Sequence, residues 1–316
     1  MSKPTVRAVR VLELGAPPVV SEVQLPAPGP GEQVVTLSYA GINPVDRYVA
    51  LGLVGGDGPF PRTLGNEACG RNAAGELVVV YSEALGISRD GVYATAAVVP
   101  DSAVFPVPDG VDPKAAASVG IAGVTAYNVA GLLAPQPGET VLVLGAGGGV
   151  GLPLVSYLTY LGARVVGQVG TASKADAVRA AGAVDVVVAD ADSLADAVAG
   201  RDIVAVTDPL GGPFVSVVIG LLPLRGRYVG FGTSAGAELT LNWQQCYRKG
   251  LQLLGYSGFA ITADERQHAV RATIDLLAVG GMQIPAERTY RLEELSEAFD
   301  ALVNRSVTGK IVLELT

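Results

Sequence analysis

The sequence predicts an α/β protein, a doubly wound parallel sheet with β-rich chain on either side of it. Three observations carry this. From about Ala115 to Leu254, short apolar strands alternate with helical segments, which is the pattern of a parallel sheet covered on both faces. Before Ala115 the chain offers strands and proline- or glycine-rich connectors but no long helix. After Gly258 an amphipathic helix, a short helix and a last strand, Lys310-Ile-Val-Leu-Glu-Leu, return to the first kind of chain. The expected division is therefore 1–118 with 259–316 as one domain and 119–258 as the other.

Each element follows from local pattern. Residues 5–13 and 32–40 read as strands, joined through Pro26-Ala-Pro-Gly-Pro-Gly-Glu, a connector. Asn43-Pro-Val-Asp-Arg-Tyr opens a short helix or turn, and the glycines and prolines of 54–63 predict an exposed loop. Further strands are expected at 77–81 and 92–99. In the middle segment strands are expected at 140–144, 163–168, 184–188, 203–207, 226–231 and 251–255. Helices are expected at 115–133, 149–161, 173–181, 191–199 and 213–223. Later helices are expected at about 262–279 and 292–304.

The most informative stretch is Glu139-Thr-Val-Leu-Val-Leu-Gly-Ala-Gly-Gly-Gly-Val-Gly151. An apolar strand runs into a glycine-rich turn, a helix follows to Leu161, and Ala163-Arg-Val-Val-Gly-Gln begins a second strand. This is the opening unit of a Rossmann-type dinucleotide-binding domain, with spacing Ala146-x-Gly148-x-x-Gly151 and alanine at the first glycine position. Gly148 would let backbone approach a pyrophosphate, and Gly151 would let the helix pack on the strand. The helix N-terminus supplies free N–H groups. The bland alternative is a structural turn.

An NAD site usually places a carboxylate at the end of the second strand. Here the strand ends Gly167-Gln-Val-Gly-Thr-Ala-Ser-Lys174. Small residues, two hydroxyls and a cation suit a 2′-phosphate, so NADPH is the expected cofactor. The alternative reading makes Thr171-Ala-Ser a helix cap and Lys174 a solvated charge.

Composition narrows the partners. Of 316 residues, 49% are hydrophobic and 16% charged, a globular composition. The net charge of −8 argues against nucleic acid. No apolar run is long enough for a membrane span; the stretch 214–224 is short and contains Gly220 and Pro223. The start, Met1-Ser-Lys-Pro-Thr-Val-Arg, lacks the apolar core of a signal peptide, and a cytoplasmic setting is expected. Cys69 and Cys246 make no disulfide framework and read as small buried residues.

Taken in order, Ala40-Gly-Ile-Asn-Pro-Val-Asp-Arg-Tyr48, Leu64-Gly-Asn-Glu-Ala-Cys-Gly70, Ala122-Gly-Val-Thr-Ala-Tyr127, the glycine turn, Gly230-Phe-Gly-Thr-Ser-Ala-Gly236 and Thr308-Gly-Lys-Ile-Val-Leu resemble the medium-chain dehydrogenase/reductase superfamily. Within it the chain is most similar to the zinc-free, zeta-crystallin-like quinone oxidoreductases. The resemblance implies that the β-rich part is a GroES-like catalytic domain. Where the zinc branch has a cysteine and a histidine as ligands, this chain has Asn43 and Asn66, poor ligands, and its only histidine, His268, lies near the C-terminus. No metal is expected.

The resemblance also implies roles. Asn43 would sit by the nicotinamide ribose or the substrate, and Tyr48 could donate a hydrogen bond or a proton. Thr125 would lie by the cofactor. Ala146, Gly148, Gly149, Val150 and Gly151 would hold the pyrophosphate. Gly170, Thr171, Ser173 and Lys174 would face the 2′-phosphate, and Phe231, Gly232 and Thr233 the nicotinamide. Lys310 would close over the cofactor, or be a solvated charge; Tyr48 could equally be a packed aromatic.

Departures from the family fall at Leu51-Gly-Leu-Val54, which lacks a common tyrosine, and at Ala189, which replaces another beside Asp190. The stretch from Gly70 to Tyr81 is also short. The implied activity is an NADPH-dependent, zinc-independent reduction of a quinone or an α,β-unsaturated carbonyl, a small-molecule substrate. Alternatives are a non-redox cyclase or isomerase, or a nucleotide-binding protein without catalysis. The run Leu251-Gln-Leu-Leu-Gly-Tyr falls where relatives pair across a subunit interface, so a homodimer is expected.

Overall fold

The structure is a computed structural model that describes residues 4–55 and 58–316. Met1–Lys3, from the expected leaderless start, and Gly56–Asp57, from the expected 54–63 loop, lie outside the described residues.

In chain order, the first elements are β1 (Thr5–Val11), β2 (Val19–Gln24), β3 (Glu32–Ile42), α1 (Pro44–Ala50), β4 (Arg62–Thr63), β5 (Glu67–Arg71), β6 (Leu77–Tyr81), β7 (Ala96–Pro100) and β8 (Val104–Pro106). Then come α2 (Pro113–Ala116), α3 (Val124–Leu133), β9 (Thr140–Val143), α4 (Gly151–Tyr160), β10 (Arg164–Val169), α5 (Ala175–Ala180), β11 (Asp185–Val188), α6 (Leu194–Ala197) and β12 (Ile203–Asp208). The last are α7 (Pro213–Leu221), β13 (Arg227–Gly230), α8 (Trp243–Lys249), β14 (Gln252–Gly255), α9 (Ala263–Ala278), β15 (Ala286–Arg291), α10 (Leu295–Val303) and β16 (Lys310–Glu314).

The chain divides into two units, 1–123 with 270–279 and 284–316, and 124–269 with 280–283. The divisions thus fall at 123 and 269, where 118 and 258 were expected.

The first unit holds a three-stranded sheet, β2-β1-β4, and a seven-stranded one, β15-β16-β3-β5-β6-β8 with β7 on β3. Alternation along β3 places Val35 and Leu37 in its core, where Leu64, Tyr93 and Phe299 of α10 join them. Register here matters for function. Ile311 lies opposite Ile42, and Ala40 opposite Ala68, so β3, β5 and β16 bring distant sequence positions side by side.

The second unit is a six-stranded parallel sheet in the order β11-β10-β9-β12-β13-β14. Its strands Thr-Val-Leu-Val and Arg-Val-Val-Gly-Gln-Val are buried almost throughout, as helices on both faces demand. The chain starts at the central β9, winds outward to β11, and returns to β12 on the other side. This is the doubly wound order, and the crevice at the carboxyl ends of β9 and β12 is its switch point.

Several elements differ from expectation. The helix expected over 115–133 is α2, a π-helical turn at Val119–Gly123, and then α3. Close approach requires glycine at two positions of that turn: a Cβ on Gly120 would lie 2.3 Å from the Tyr81 ring, and one on Gly123 2.4 Å from Thr273. The strand expected at 92–99 pairs regularly only over β7. Before that, Tyr93 and Val92 bond to Leu64 and Gly65, and Thr95 to Arg7. β2, β5, β15 and α8 were not anticipated. Among the described residues, no helix is long and apolar enough to cross a membrane.

Candidate nucleotide site and a buried polar cluster

In the second unit the glycine turn follows β9 and leads into α4. Gly145 has φ +60°, a conformation that favours glycine. A Cβ on Gly151 would lie 2.3 Å from Gly145 O and 2.6 Å from Ala146 O, so only glycine lets the helix start this close to the strand. The turn is fixed by Gly148 N–H donating to Gly145 O at 2.9 Å and Ala146 N–H to Gln168 O at 2.9 Å. Among the hydrogen bonds of the described residues, none uses the N–H groups of Gly147, Gly149, Val150 or Gly151. These are donors for an anion at the head of a helix.

Gln168, buried on β10, braces this turn from below. Its side chain accepts from Gly145 N–H at 2.9 Å and donates to Ala189 O at 2.6 Å. Sequence reasoning passed over it because a lone glutamine in a strand carries no motif.

Lys174 comes to the turn from the loop after β10. A Cβ on Gly147 would sit 2.9 Å from the Lys174 Cβ and 3.0 Å from its Cδ, so the lysine stem lies along the glycine backbone. Gly170, Thr171 and Ser173 are exposed beside it, and the two hydroxyls are 3.2 Å apart. Asp190 caps the chain after β11, its carboxylate accepting from the Ser193 N–H and hydroxyl.

The return side of the switch point is built on Asp208, fully buried at the end of β12. Its carboxylate accepts from Leu210 N–H, Gly211 N–H and the Tyr228 hydroxyl at 2.6, 3.0 and 2.9 Å. Burial pushes its pKa upward against these donors. Pro209, fixed by that anchor, packs on both loops. A Cβ on Gly145 would meet its Cγ at 3.0 Å, and one on Gly232 its carbonyl oxygen at 2.6 Å. The turn at 145–151, the 171–174 loop and the Phe231-Gly232-Thr233 segment therefore converge within one unit. Thr125 stands on α3 in the same unit, where it and Asn128 hold the Tyr256 phenol, and the Tyr256 N–H donates to Gly230 O at 2.9 Å, next to Phe231.

The first unit carries a buried polar cluster. Asn43 precedes α1, whose Pro44 needs no donor at the first helical position. Its backbone N–H goes to Asp46 Oδ2 at 2.8 Å. Its side-chain amide donates from Nδ2 to Glu67 Oε1 at 2.6 Å and accepts at Oδ1 from Lys310 Nζ at 2.6 Å. Glu67, fully buried, also takes the Ile121 N–H at 2.9 Å, a donor that the π-helical turn leaves available. Lys310 completes its three donors on Ile42 O at 3.0 Å and Glu67 Oε1 at 3.2 Å.

The alternative reading of Lys310 as a solvated charge is thereby corrected: its ammonium is buried and bonded to Ile42, Asn43 and Glu67 within the first unit. Tyr48 is 44% exposed on α1, and its hydroxyl makes no hydrogen bond among the described residues.

Beside the cluster, burial pushes the Asp46 carboxyl up to about 7, and Glu67 nearby adds to the rise; Tyr93, the Asn43 N–H and Lys310 oppose it. The Tyr93 hydroxyl also donates to Gly41 O at 3.0 Å. Asp46 and Glu67 both stand in stretches that the sequence singles out, yet neither was assigned a role there. Among the described residues, no group of three or more His, Cys, Asp or Glu side chains is placed to hold a metal ion.

Comparison with known proteins places these features. A zinc-binding dehydrogenase family model matches residues 175–313. Human quinone oxidoreductase is 29% identical over 328 aligned positions, covering 98% of each chain. A putative quinone oxidoreductase of Bacillus subtilis is 29% identical over 94% of this chain and 93% of its own. Among solved structures, a mycobacterial protein complexed with NADPH superposes with a TM-score of 0.82 at 29% identity, over 98% of this chain and 99% of its own. An NAD-dependent alcohol dehydrogenase superposes at 0.88 with 26% identity, over 98% and 100%.

Proposed function

Since the chain belongs to the medium-chain dehydrogenase/reductase superfamily, with quinone oxidoreductases among its full-length relatives, we propose that it is an NADPH-dependent, zinc-independent reductase of a quinone or an α,β-unsaturated carbonyl. That it is a nicotinamide-dependent oxidoreductase follows from the family; the choice of NADPH and of acceptor is our reading.

The observation that carries the cofactor choice is the lysine stem of Lys174 lying along Gly147, with no carboxylate between Val169 and Lys174. A carboxylate there would select a ribose hydroxyl; a cation with two neighbouring hydroxyls selects a phosphate. The residues present fit such a cofactor. The free N–H groups of 147, 149, 150 and 151 would take the pyrophosphate, while a side chain at Gly147 would press on the Lys174 stem and one at Gly151 on the backbone of the turn itself. Phe231 to Thr233 would face the nicotinamide.

When bound, the nicotinamide supplies a hydride to an electron-poor carbon. The protein must orient the acceptor and give a hydrogen bond to the oxygen that gains charge. Asn43 is the proposed donor, through the N–H that Glu67 does not take, and Tyr48 is the proposed proton source. Zinc independence rests on the amides Asn43 and Asn66 standing where ligands would be needed.

The test is NADPH oxidation, followed by absorbance, with a panel of quinones and enones. Stoichiometric reduction of one class supports the proposal. Product formation with no net NADPH loss would instead mark a non-redox reaction.

A homodimer is part of the same proposal. β14 is the open edge of the parallel sheet, Leu254 on it is 37% exposed, and Trp243 and Tyr247 on α8 are exposed as well. An apolar, unpaired edge of this kind suits a second copy of the chain. Leu254→Lys should halve the native mass measured by light scattering; an unchanged mass, or a monomeric parent protein, rejects this interface.

A further inference from the structure

We infer that Lys310 and Glu67 act as paired positioning residues that fix which way the Asn43 amide faces. The inference rests on the proposed role of Asn43 as hydrogen-bond donor to the acceptor oxygen, and deepens it. A free asparagine amide can rotate half a turn and exchange its oxygen and nitrogen at little cost. Here the exchange is blocked on both sides. The Lys310 ammonium, 2.6 Å from Oδ1, can only donate. The Glu67 carboxylate, 2.6 Å from Nδ2, can only accept there. Turning the amide over would put –NH2 against the ammonium and the carbonyl oxygen against the carboxylate.

The amide is planar, so with one N–H on Glu67 the direction of the second is set. That second N–H has no partner among the described residues. The ammonium on Oδ1 also draws electron density from the amide and strengthens its remaining donor.

At the start of α1, Asn43 and Asp46 stand in capping-box positions. The cap function at α1 is served by Asp46, whose carboxylate takes the Asn43 backbone N–H. Pro44 removes one further donor that a capping side chain would otherwise serve. The three members come from β5, β16 and the end of β3, far apart in sequence, so the arrangement depends on sheet register. Glu67 is further held by the Ile121 N–H, and Lys310 by Ile42 O, so both are themselves fixed.

Lys310→Met alone would leave Glu67 buried without its cation and could unfold the unit. The working variant is therefore Lys310→Met/Glu67→Gln, which removes both charges and keeps the volume. With the quinone or enone that the wild type reduces best, kcat should fall by about 10- to 100-fold, in the range of losing one oriented donor. The dissociation constant for NADPH, which binds to the other unit's residues, should stay within about twofold.

Asn43→Ala should lower kcat to a similar level. In that background the paired change should alter kcat by less than about twofold, because there is no amide left to orient. A merely structural role predicts otherwise: the two losses would multiply, or kcat would be unaffected while the melting temperature dropped. Either result overturns the inference. A wild type that binds NADPH but turns over no member of the panel overturns the reading beneath it, and the positioning role with it.

Discussion

Replacing Asp46 by asparagine should stabilise the protein at neutral pH and leave it unchanged in acid. The carboxyl is buried, and burial moves it from its usual 3.8 to about 7. Folding therefore favours the protonated form. The stability this confers is fully present below the unfolded value, near pH 4, and is lost as pH rises through the folded value, near 7. Above pH 7 the wild type must hold a buried charge, only partly offset by Tyr93, the Asn43 N–H and Lys310, that the neutral amide does not carry. Three pKa units correspond to about 4 kcal/mol.

Asparagine suits the site. Its Oδ1 can accept the Asn43 N–H now taken by Asp46 Oδ2 at 2.8 Å, and the amide carries no charge at any pH. Urea unfolding followed by far-ultraviolet circular dichroism, at intervals from pH 5.5 to 8.5, measures the difference. The two proteins should diverge by about 1.4 kcal/mol per pH unit up to pH 7 and then run parallel, with the variant more stable. A difference independent of pH, or a variant less stable than wild type at pH 8, would refute the reasoning.

Two further predictions concern the glycine turn. Gly151→Ala places a methyl 2.3 Å from Gly145 O, a backbone atom that cannot step aside; the turn must open. NADPH affinity should fall more than about tenfold and stability by roughly 1–3 kcal/mol, measured by fluorescence titration and denaturation. Gln168→Leu keeps the size but strands Gly145 N–H and Ala189 O in the interior, at a cost of roughly 2–5 kcal/mol in the same unfolding assay.

The glycine turn was legible because the physics there is local. A strand, a missing Cβ and a helix start fall within a dozen consecutive residues. The alternating strands and helices of the second unit were legible for the same reason, since burial on both faces leaves continuous apolar runs such as Thr140–Val143. Elements on sheet edges were not. β15, Ala-Glu-Arg-Thr-Tyr-Arg, is largely exposed and shows no apolar alternation; it is a strand because it pairs with β16. α8 buries only Cys246, although Asn242 caps its start and Gly250, with φ +60°, ends it.

The candidate site divides along the same line. Lys174 could be read from its distance to the second strand. The partnership of Asn43, Glu67 and Lys310 could not, because it follows from the register of β3 with β5 and β16, over separations of 24 to 267 residues. For that reason the buried partners of Lys310 were not foreseen, and Glu67 was not assigned at all.

The central claim, a nicotinamide site that prefers the 2′-phosphate, is tested most directly by titrating wild type and Lys174→Ala with NADPH and with NADH, following nicotinamide fluorescence. A charge-assisted contact of about 1.5–3 kcal/mol predicts roughly 10- to 100-fold tighter binding of NADPH than NADH. Lys174→Ala should remove most of that preference and leave NADH affinity as it was. Equal affinity for the two nucleotides in the wild type, or a preference untouched by the substitution, would contradict the assignment of Lys174, and failure to bind either nucleotide would contradict the account as a whole.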